Sequence, residues 1–497
     1  MITPGINQSE LSIAKTRTSI KMFIGVLIIF CLLWLLWLFG NGEKSITTML
    51  TSNLNAIVLT SIIVVYLSFS VVQNLKRARM GPLYIRPVNL FLGLYFLYVC
   101  WGVATHFITV AIFFDYEPKI AEAVIYSNLG IISFLLSYLF WKKFRGKKLT
   151  ASLTERDKKF VDWNLRRLRA AIIFVAFFSI AGTCVTFYKL GGIPVFLPGG
   201  VGNVNPLLTE VIKGVFVQLH YFNTIVIFLC AIYLMKNHHD VVILLIGVLA
   251  CLALLGYGGR YGFVLPLVTA FFVFNHYVRE IKLRRAIVTF FMIAASLMFY
   301  GWWRNRLLEA TSFAGAQGDE TTIIGAIGNV FTELRDFGLW IKEFQYSGPS
   351  YLGVILVVGA LMAMFPKQIW ALAGIDKDRY LINSAYLTGT AIYHESYTGI
   401  RIGFMGELYI SFGIFGILAG MGVFGLIFGF LDNKLIASGQ KGAQVAIIYY
   451  VTFVLTFSLI GHFQGVVASL TYYGFVLYAV YYYATSRQPQ LRQEMDT

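Results

Sequence analysis

Residues 404–431 read FMGELYISFGIFGILAGMGVFGLIFGFL, and one ionisable side chain, Glu407, interrupts them. About 20 consecutive apolar residues are enough to cross the hydrocarbon core of a bilayer as a helix. This run leaves no side for water, so it predicts a membrane-spanning helix. Eleven other runs share its character: 22–40, 55–73, 88–114, 123–141, 170–188, 212–235, 241–257, 263–277, 286–303, 444–461 and 464–484. Backbone groups in lipid must close their own hydrogen bonds, which leaves helices or closed barrels. The short alternating segments of a barrel are absent from the sequence.

Composition agrees. The chain is 58% hydrophobic and 13% charged, where a soluble domain carries about 25% charged residues. The expected fold is therefore an all-α integral membrane protein of about 12 transmembrane helices. The five cysteines (Cys31, Cys100, Cys184, Cys230, Cys251) all lie within apolar runs, with neither metal spacing nor a disulfide framework. The run from Met22 to Gly40 is too long for a cleaved signal and reads as a retained first helix.

The net charge of +16 points to membrane orientation rather than to nucleic acid. Lys and Arg collect in cytoplasmic loops. Here they gather before the first span (Lys15, Arg17, Lys21) and after the second (Lys76, Arg77, Arg79, Arg86). They recur after the fourth, from Lys142 to Arg169, and after the eighth (Arg279, Lys282, Arg284, Arg285). These are alternate loops, so both termini are expected in the cytoplasm.

Three regions follow. Residues 1–303 form an N-terminal bundle of about nine helices, 304–403 a long external segment between helices 9 and 10, and 404–497 the C-terminal helices. Within the external segment, acidic and basic residues balance. Its apolar stretch 350–366 would reverse every later loop if it crossed, so the charge bias favours a re-entrant or interfacial segment. Residues 323–344 carry Ile323, Ile327, Val330, Phe331, Leu334, Phe337, Ile341 and Phe344 at helical spacing, with Asn329, Glu333, Asp336 and Glu343 opposite. That is an amphipathic helix, lying either along the membrane or packed within an external domain.

The candidate chemistry lies on the external side, which should be poor in arginine. Arg260, Arg304, Arg306 and Arg401 all sit there, at helix ends. Each alone also fits a snorkelling anchor. Together they fit phosphate, because the planar guanidinium fork binds its oxygens in pairs and stays charged when partly dried. Arg260 and Tyr261 lie in GYGGRYG (256–262), whose glycines let backbone approach a ligand. Tyr393 to Gly413 holds His394, Glu395, Arg401, Glu407 and Tyr409. Glu407 falls inside the membrane and is a functional candidate on that ground, or an ion-pair partner of Arg401. His220, like His106, His276 and His462, reads as a packing residue. Gly413, Gly416, Gly420, Gly422, Gly425 and Gly429 read as a helix-contact stripe. No metal signature appears, and neither a metal nor a cofactor is expected.

The pattern GxRxGxxGExYxxFGxxG, here Gly399, Arg401, Gly403, Gly406, Glu407, Tyr409, Phe412, Gly413 and Gly416, resembles bacterial oligosaccharide repeat-unit polymerases of the Wzy type. So does the apolar segment from Tyr351 that ends in Pro366, Lys367, Ile369 and Trp370. The Trp-Pro-x-Lys-Pro continuation of that family is replaced here by Ala371 and Leu372. His394 is similar to the external-loop His of the related O-antigen ligases. The resemblance implies a GT-C-like glycosyltransferase acting on undecaprenyl diphosphate-linked oligosaccharide at the outer leaflet, with membrane lipid and a chain-length regulator as partners. It implies diphosphate binding by Arg260, Arg304, Arg306, Arg401, Tyr261 and Tyr409, and a catalytic base among His394, Glu395 and Glu407. A ligase or a flippase for the same lipid-linked sugar is the alternative.

Overall fold

The computed structural model describes residues 86–96, 98–99, 102, 119–144, 162–196, 215–257, 260–278, 333–347, 353–365, 367–375, 403–438, 442–461 and 463–485, with single positions between 285 and 299. Among them there are helices and turns but no strand. Six helices are long and apolar enough to cross a membrane: Ile120–Phe144, Leu165–Lys189, Phe216–Lys236, Gly403–Ile436, Ala443–Ile460 and Phe463–Thr485. Their outward faces carry exposed Leu136, Phe140, Phe174, Phe177 and Phe415, and the shorter apolar helix Val241–Tyr257 adds Leu244 and Leu249. Large apolar side chains ringing the structure need lipid around them. The chain is a helical membrane protein.

In chain order the helices are α1 Pro87–Phe96, α2 Ile120–Phe144, α3 Leu165–Lys189, α4 Val215–Tyr221, α5 Asn223–Lys236, α6 Val241–Tyr257 and α7 Arg260–Tyr277. Then come α8 Glu333–Ser347, α9 Gly359–Ala363, α10 Lys367–Leu372, α11 Gly403–Ala437, α12 Ala443–Phe457, α13 Phe463–Ala468 and α14 Gly474–Thr485. The expected runs at 123–141, 170–188, 212–235, 241–257, 263–277, 444–461 and 464–484 each fall on one of these helices or on two in succession. The runs at 22–40 and 55–73 lie outside the described residues. Polar caps set the ends. The Asn164 side chain accepts from the Arg167 N–H at 3.2 Å to start α3. Asp240 accepts from the Ile243 N–H at 3.2 Å to start α6 and is bound by the Arg169 guanidinium at 2.8 Å. That guanidinium hydrogen bond holds the Asp240 carboxyl below the usual carboxylate range.

The 404–431 run does not form one straight helix. At Gly413 the backbone takes φ 64° and ψ −152°, which an L side chain rarely tolerates. The chain reverses there. The rings of Phe404 and Phe424 lie 4.6 Å apart, although twenty helical residues rise roughly 30 Å. Leu408 packs against both Gly416 and Gly420. Residues 403–412 are thus a short arm folded back on a long arm, 414–437, and the long arm alone rises roughly 35 Å.

The glycine stripe serves two contacts. Gly416 and Gly420 admit the short arm, while Gly422, Gly425 and Gly429 seat α2 through Ser133, Phe134 and Trp141. Small residues let helices approach in lipid, where packing rather than water exclusion drives association. Ser133 donates to the Leu418 carbonyl at 2.7 Å, and Tyr138 donates to Asp432 at 2.8 Å, so α2 and the long arm run parallel. Phe91 of α1 stacks on Phe134 at 4.4 Å and meets Phe428 at 4.8 Å. At one end of this trio Asp432 is fully buried, with Lys142 at 2.6 Å and Arg86 at 3.9 Å. Breaking such a buried pair strands a charge.

Helix α8 departs from a surface-lying reading. Glu333 through Ile341 are buried on every side, and Glu333 and Asp336 are as deep as Leu334 and Phe337. A helix resting on lipid would leave its polar face in water. This one instead passes between α2 and the short arm, and its Gly338 carbonyl accepts from the Lys119 N–H at 3.0 Å. Residues 323–332 lie outside the described residues. The apolar stretch after it begins with the Gly353 N–H bonded to the Ser411 carbonyl at 3.0 Å, near the reversal. Gly359 then lies against Gln464, beside the Phe463 ring that stacks on Phe404 at 5.1 Å. Residues 354–363 therefore run antiparallel to the short arm and rise about 15 Å before the turn at Met364 and Phe365, half a hydrocarbon core.

Gly425→Ala places a methyl on the Phe134 carbonyl and should destabilise the protein by about 1–3 kcal/mol. Gly474→Ala meets nothing within 4 Å and should be neutral or stabilising by about 0.5–1 kcal/mol. Thermal unfolding in detergent compares the two.

Candidate functional site

Of the residues singled out from the sequence, Glu407 and Tyr409 are placed with their side chains, both on the short arm. Arg260 and Tyr261 are the first two residues of α7, described by their backbone. His394, Glu395, Arg304, Arg306 and Arg401 lie outside the described residues.

Glu407 is 1% exposed. Its Oε2 accepts from the Phe463 N–H at 2.7 Å. Phe463 opens the helix that runs to Thr485. The first turn of a helix has no intrahelical partners for its N–H groups, and its dipole favours a negative charge there. Glu407 thus ties the short arm to the start of the last span. Gly403 makes the tie possible: with φ +62° it brings the arm's first turn so close that a Cβ would meet the Leu459 carbonyl at 2.5 Å. Tyr409, 9% exposed, stacks on Tyr126 of α2 at 5.2 Å and meets Phe337 of α8 edge-on at 5.5 Å.

Three further ionisable residues share this region. Glu333 is 1%, Arg335 8% and Asp336 0% exposed. The Arg335 guanidinium donates twice to Asp336, from Nε at 2.9 Å and Nη2 at 2.7 Å. The Glu333 Cβ lies 3.3 Å from where a Cβ on Gly403 would sit. Nearby, the Tyr95 hydroxyl donates to Asn128 at 2.7 Å in the buried α1–α2 contact. Buried charges inside a membrane bundle are costly and concentrate at functional places. The amphipathic pattern marked Glu333 and Asp336 as a polar face, but a face pattern does not say whether water or protein covers it. Among the described residues no three His, Cys, Asp or Glu side chains converge as a metal site.

Neither the family models, nor the curated proteins, nor the solved structures that were searched gave a match to this chain. Function is therefore argued from the site itself.

A second polar cluster lies where α3, α4, α5 and α6 meet, just before the GYGGRYG corner. His220 is fully buried. Its Nδ1 is 2.9 Å from the Thr183 hydroxyl, which in turn donates to the Ser179 carbonyl at 2.9 Å. The Asn223 Nδ2 donates to the Thr183 hydroxyl at 2.9 Å and to the His220 carbonyl at 2.7 Å. Tyr257 packs on the imidazole at 4.8 Å, with Tyr221 and Phe187 beside it. The sequence reading of His220 as a packing residue missed this network, since Thr183 lies on another helix at no motif spacing.

Glu407→Ala leaves the part-buried Phe463 N–H without this acceptor and should lower stability by about 1–2 kcal/mol. Glu407→Gln keeps an acceptor oxygen and should recover most of it. Melting of the two variants in one detergent checks the order.

Proposed function

We propose that the chain is a glycosyltransferase that joins undecaprenyl diphosphate-linked oligosaccharide repeat units into a surface polysaccharide at the outer leaflet of the bacterial inner membrane. On this reading it has about 12 spans in a GT-C-like arrangement, with both termini cytoplasmic, and the short arm belongs to the outward half. The observation that carries the reading is the pattern from Gly399 to Gly416. Its glycines at 403, 413 and 416 are the positions at which the hairpin needs a glycine, and its Glu407 joins the arm to the last span. The motif is thus one built unit, with Arg401 two residues ahead of the arm.

The chemistry fits the residue types. A sugar hydroxyl of one repeat unit attacks the anomeric carbon of another, and the leaving group is a lipid diphosphate. Arg260, Arg304, Arg306 and Arg401 supply fixed positive charge as the leaving diphosphate gains negative charge. A single displacement inverts the anomeric centre. His394 and Glu395 stand as candidate bases. Glu407, already accepting from the Phe463 N–H, serves better as the anchor that fixes the short arm and its Tyr409 relative to the last span. Membrane lipid surrounds the protein, and a chain-length regulator is a further partner.

The purified protein, given undecaprenyl diphosphate-linked repeat unit, should yield a ladder of longer glycans on one lipid and release free undecaprenyl diphosphate. Arg401→Lys should lose roughly 10²-fold in rate, whereas Arg279→Ala should not. Transfer to a lipid A core without a ladder would mean a ligase, and an unchanged substrate would mean a flippase.

A further inference from the structure

We infer that His220, rather than His394 or Glu395, is the proton acceptor for the attacking sugar hydroxyl, a role that rests on the glycosyltransferase reading. The protons around Thr183 fix the tautomer of the ring. A threonine hydroxyl has one proton to donate and can accept two. Thr183 lies within hydrogen-bond distance of three groups, at 2.9 Å each: the Ser179 carbonyl, the Asn223 Nδ2 and the His220 Nδ1. The Asn223 amide is oriented by its 2.7 Å bond to the His220 carbonyl. That carbonyl can only accept, so the atom facing it is the NH2 group, and the same group donates to Thr183. All three contacts at Thr183 are satisfied in one arrangement. Thr183 donates to Ser179 and accepts from both Asn223 and the His220 Nδ1–H.

The proton therefore sits on Nδ1, and Nε2 carries the lone pair. No hydrogen-bond partner meets Nε2, although the ring is fully buried. The Asn223 Oδ1, also fully buried, lacks a donor as well. Two bare acceptors in one buried place match a ligand that brings O–H donors, which is the chemistry of a sugar. Aromatic rings line the place: Tyr257, Tyr221 and Phe187. Tyr257 packs on the ring at 4.8 Å and ends α6, three residues before Arg260 opens α7. A diphosphate bound at the start of α7 would bring the reacting sugar toward His220.

The step balances without a further reactant. The hydroxyl oxygen of the acceptor sugar bonds to the anomeric carbon and its proton passes to the His220 Nε2. The bond from the anomeric carbon to the phosphate oxygen breaks, and its electron pair leaves on undecaprenyl diphosphate. Thr183 and Asn223 act as positioning residues that fix the tautomer.

Two measurements on the whole protein in nanodiscs test this. Ring ¹⁵N chemical shifts of His220 should show a protonated Nδ1 and a bare Nε2 in the wild type; a protonated Nε2 would overturn the proposal without any turnover assay. In the ladder assay with undecaprenyl diphosphate-linked repeat unit, His220→Gln should lower kcat by roughly 10²–10⁴-fold, the usual worth of a general base. Its KM and melting temperature should stay close to wild type. A His220→Gln variant that polymerises at near wild-type rate would overturn the role of His220 alone. A wild type that forms no polymer would overturn the polymerase reading, and this role with it.

Discussion

The reversal at Gly413 is the constraint on which the rest of the structure depends. A single left-handed residue divides the longest apolar run and folds residues 403–412 onto 414–437. Everything near the arm is then fixed in turn. Leu408 needs Gly416 and Gly420, Gly403 needs the Leu459 turn, and Glu407 reaches the Phe463 N–H. The long arm keeps its remaining glycines for α2. A Cβ on Gly413 would strain the turn, and without the turn Glu407 would leave its partner.

Much of the helix layout was legible in the sequence, because a bilayer imposes one dominant requirement, length of apolar chain. The starts of α3 and α6 fall within a few residues of the apolar runs, where Asn164 and Asp240 cap them. The reversal was not legible in the same way. Hydropathy is blind to direction, and a hairpin of two apolar arms reads as one long span. The glycine stripe did mark the contact but not its partners. Only the backbone shows that Gly416 and Gly420 serve the chain's own arm while Gly425 serves α2. The polar face of α8 was read correctly as a pattern, yet its surroundings come from tertiary packing. For His220, the partners Thr183 and Asn223 lie on the neighbouring helices, so no spacing rule connects all three.

The two polar places differ in kind. Around the short arm, Glu333, Arg335, Asp336 and Glu407 form a charged belt whose visible bonds are structural: a helix cap, and a guanidinium on its neighbouring carboxylate. Such a belt gives an otherwise apolar bundle a unique register, since slipping any helix would strand a charge in a low-dielectric interior. Around His220 the groups are neutral, and two acceptors lack donors. On the proposed reading, the first place is the rigid frame and the second the open hydrogen-bonding capacity for a sugar transfer at a lipid diphosphate.

The reversal itself is tested most directly by a disulfide. Leu408→Cys and Gly420→Cys, made together and oxidised in native membranes, should cross-link within one chain. A straight helix would separate the two Cα atoms by about 18 Å, far beyond the roughly 7 Å limit for a disulfide. Rapid formation of the bond is the predicted result. Two free thiols after full oxidation of a neighbouring control pair would contradict the folded-back arm, and with it the placement of Glu407.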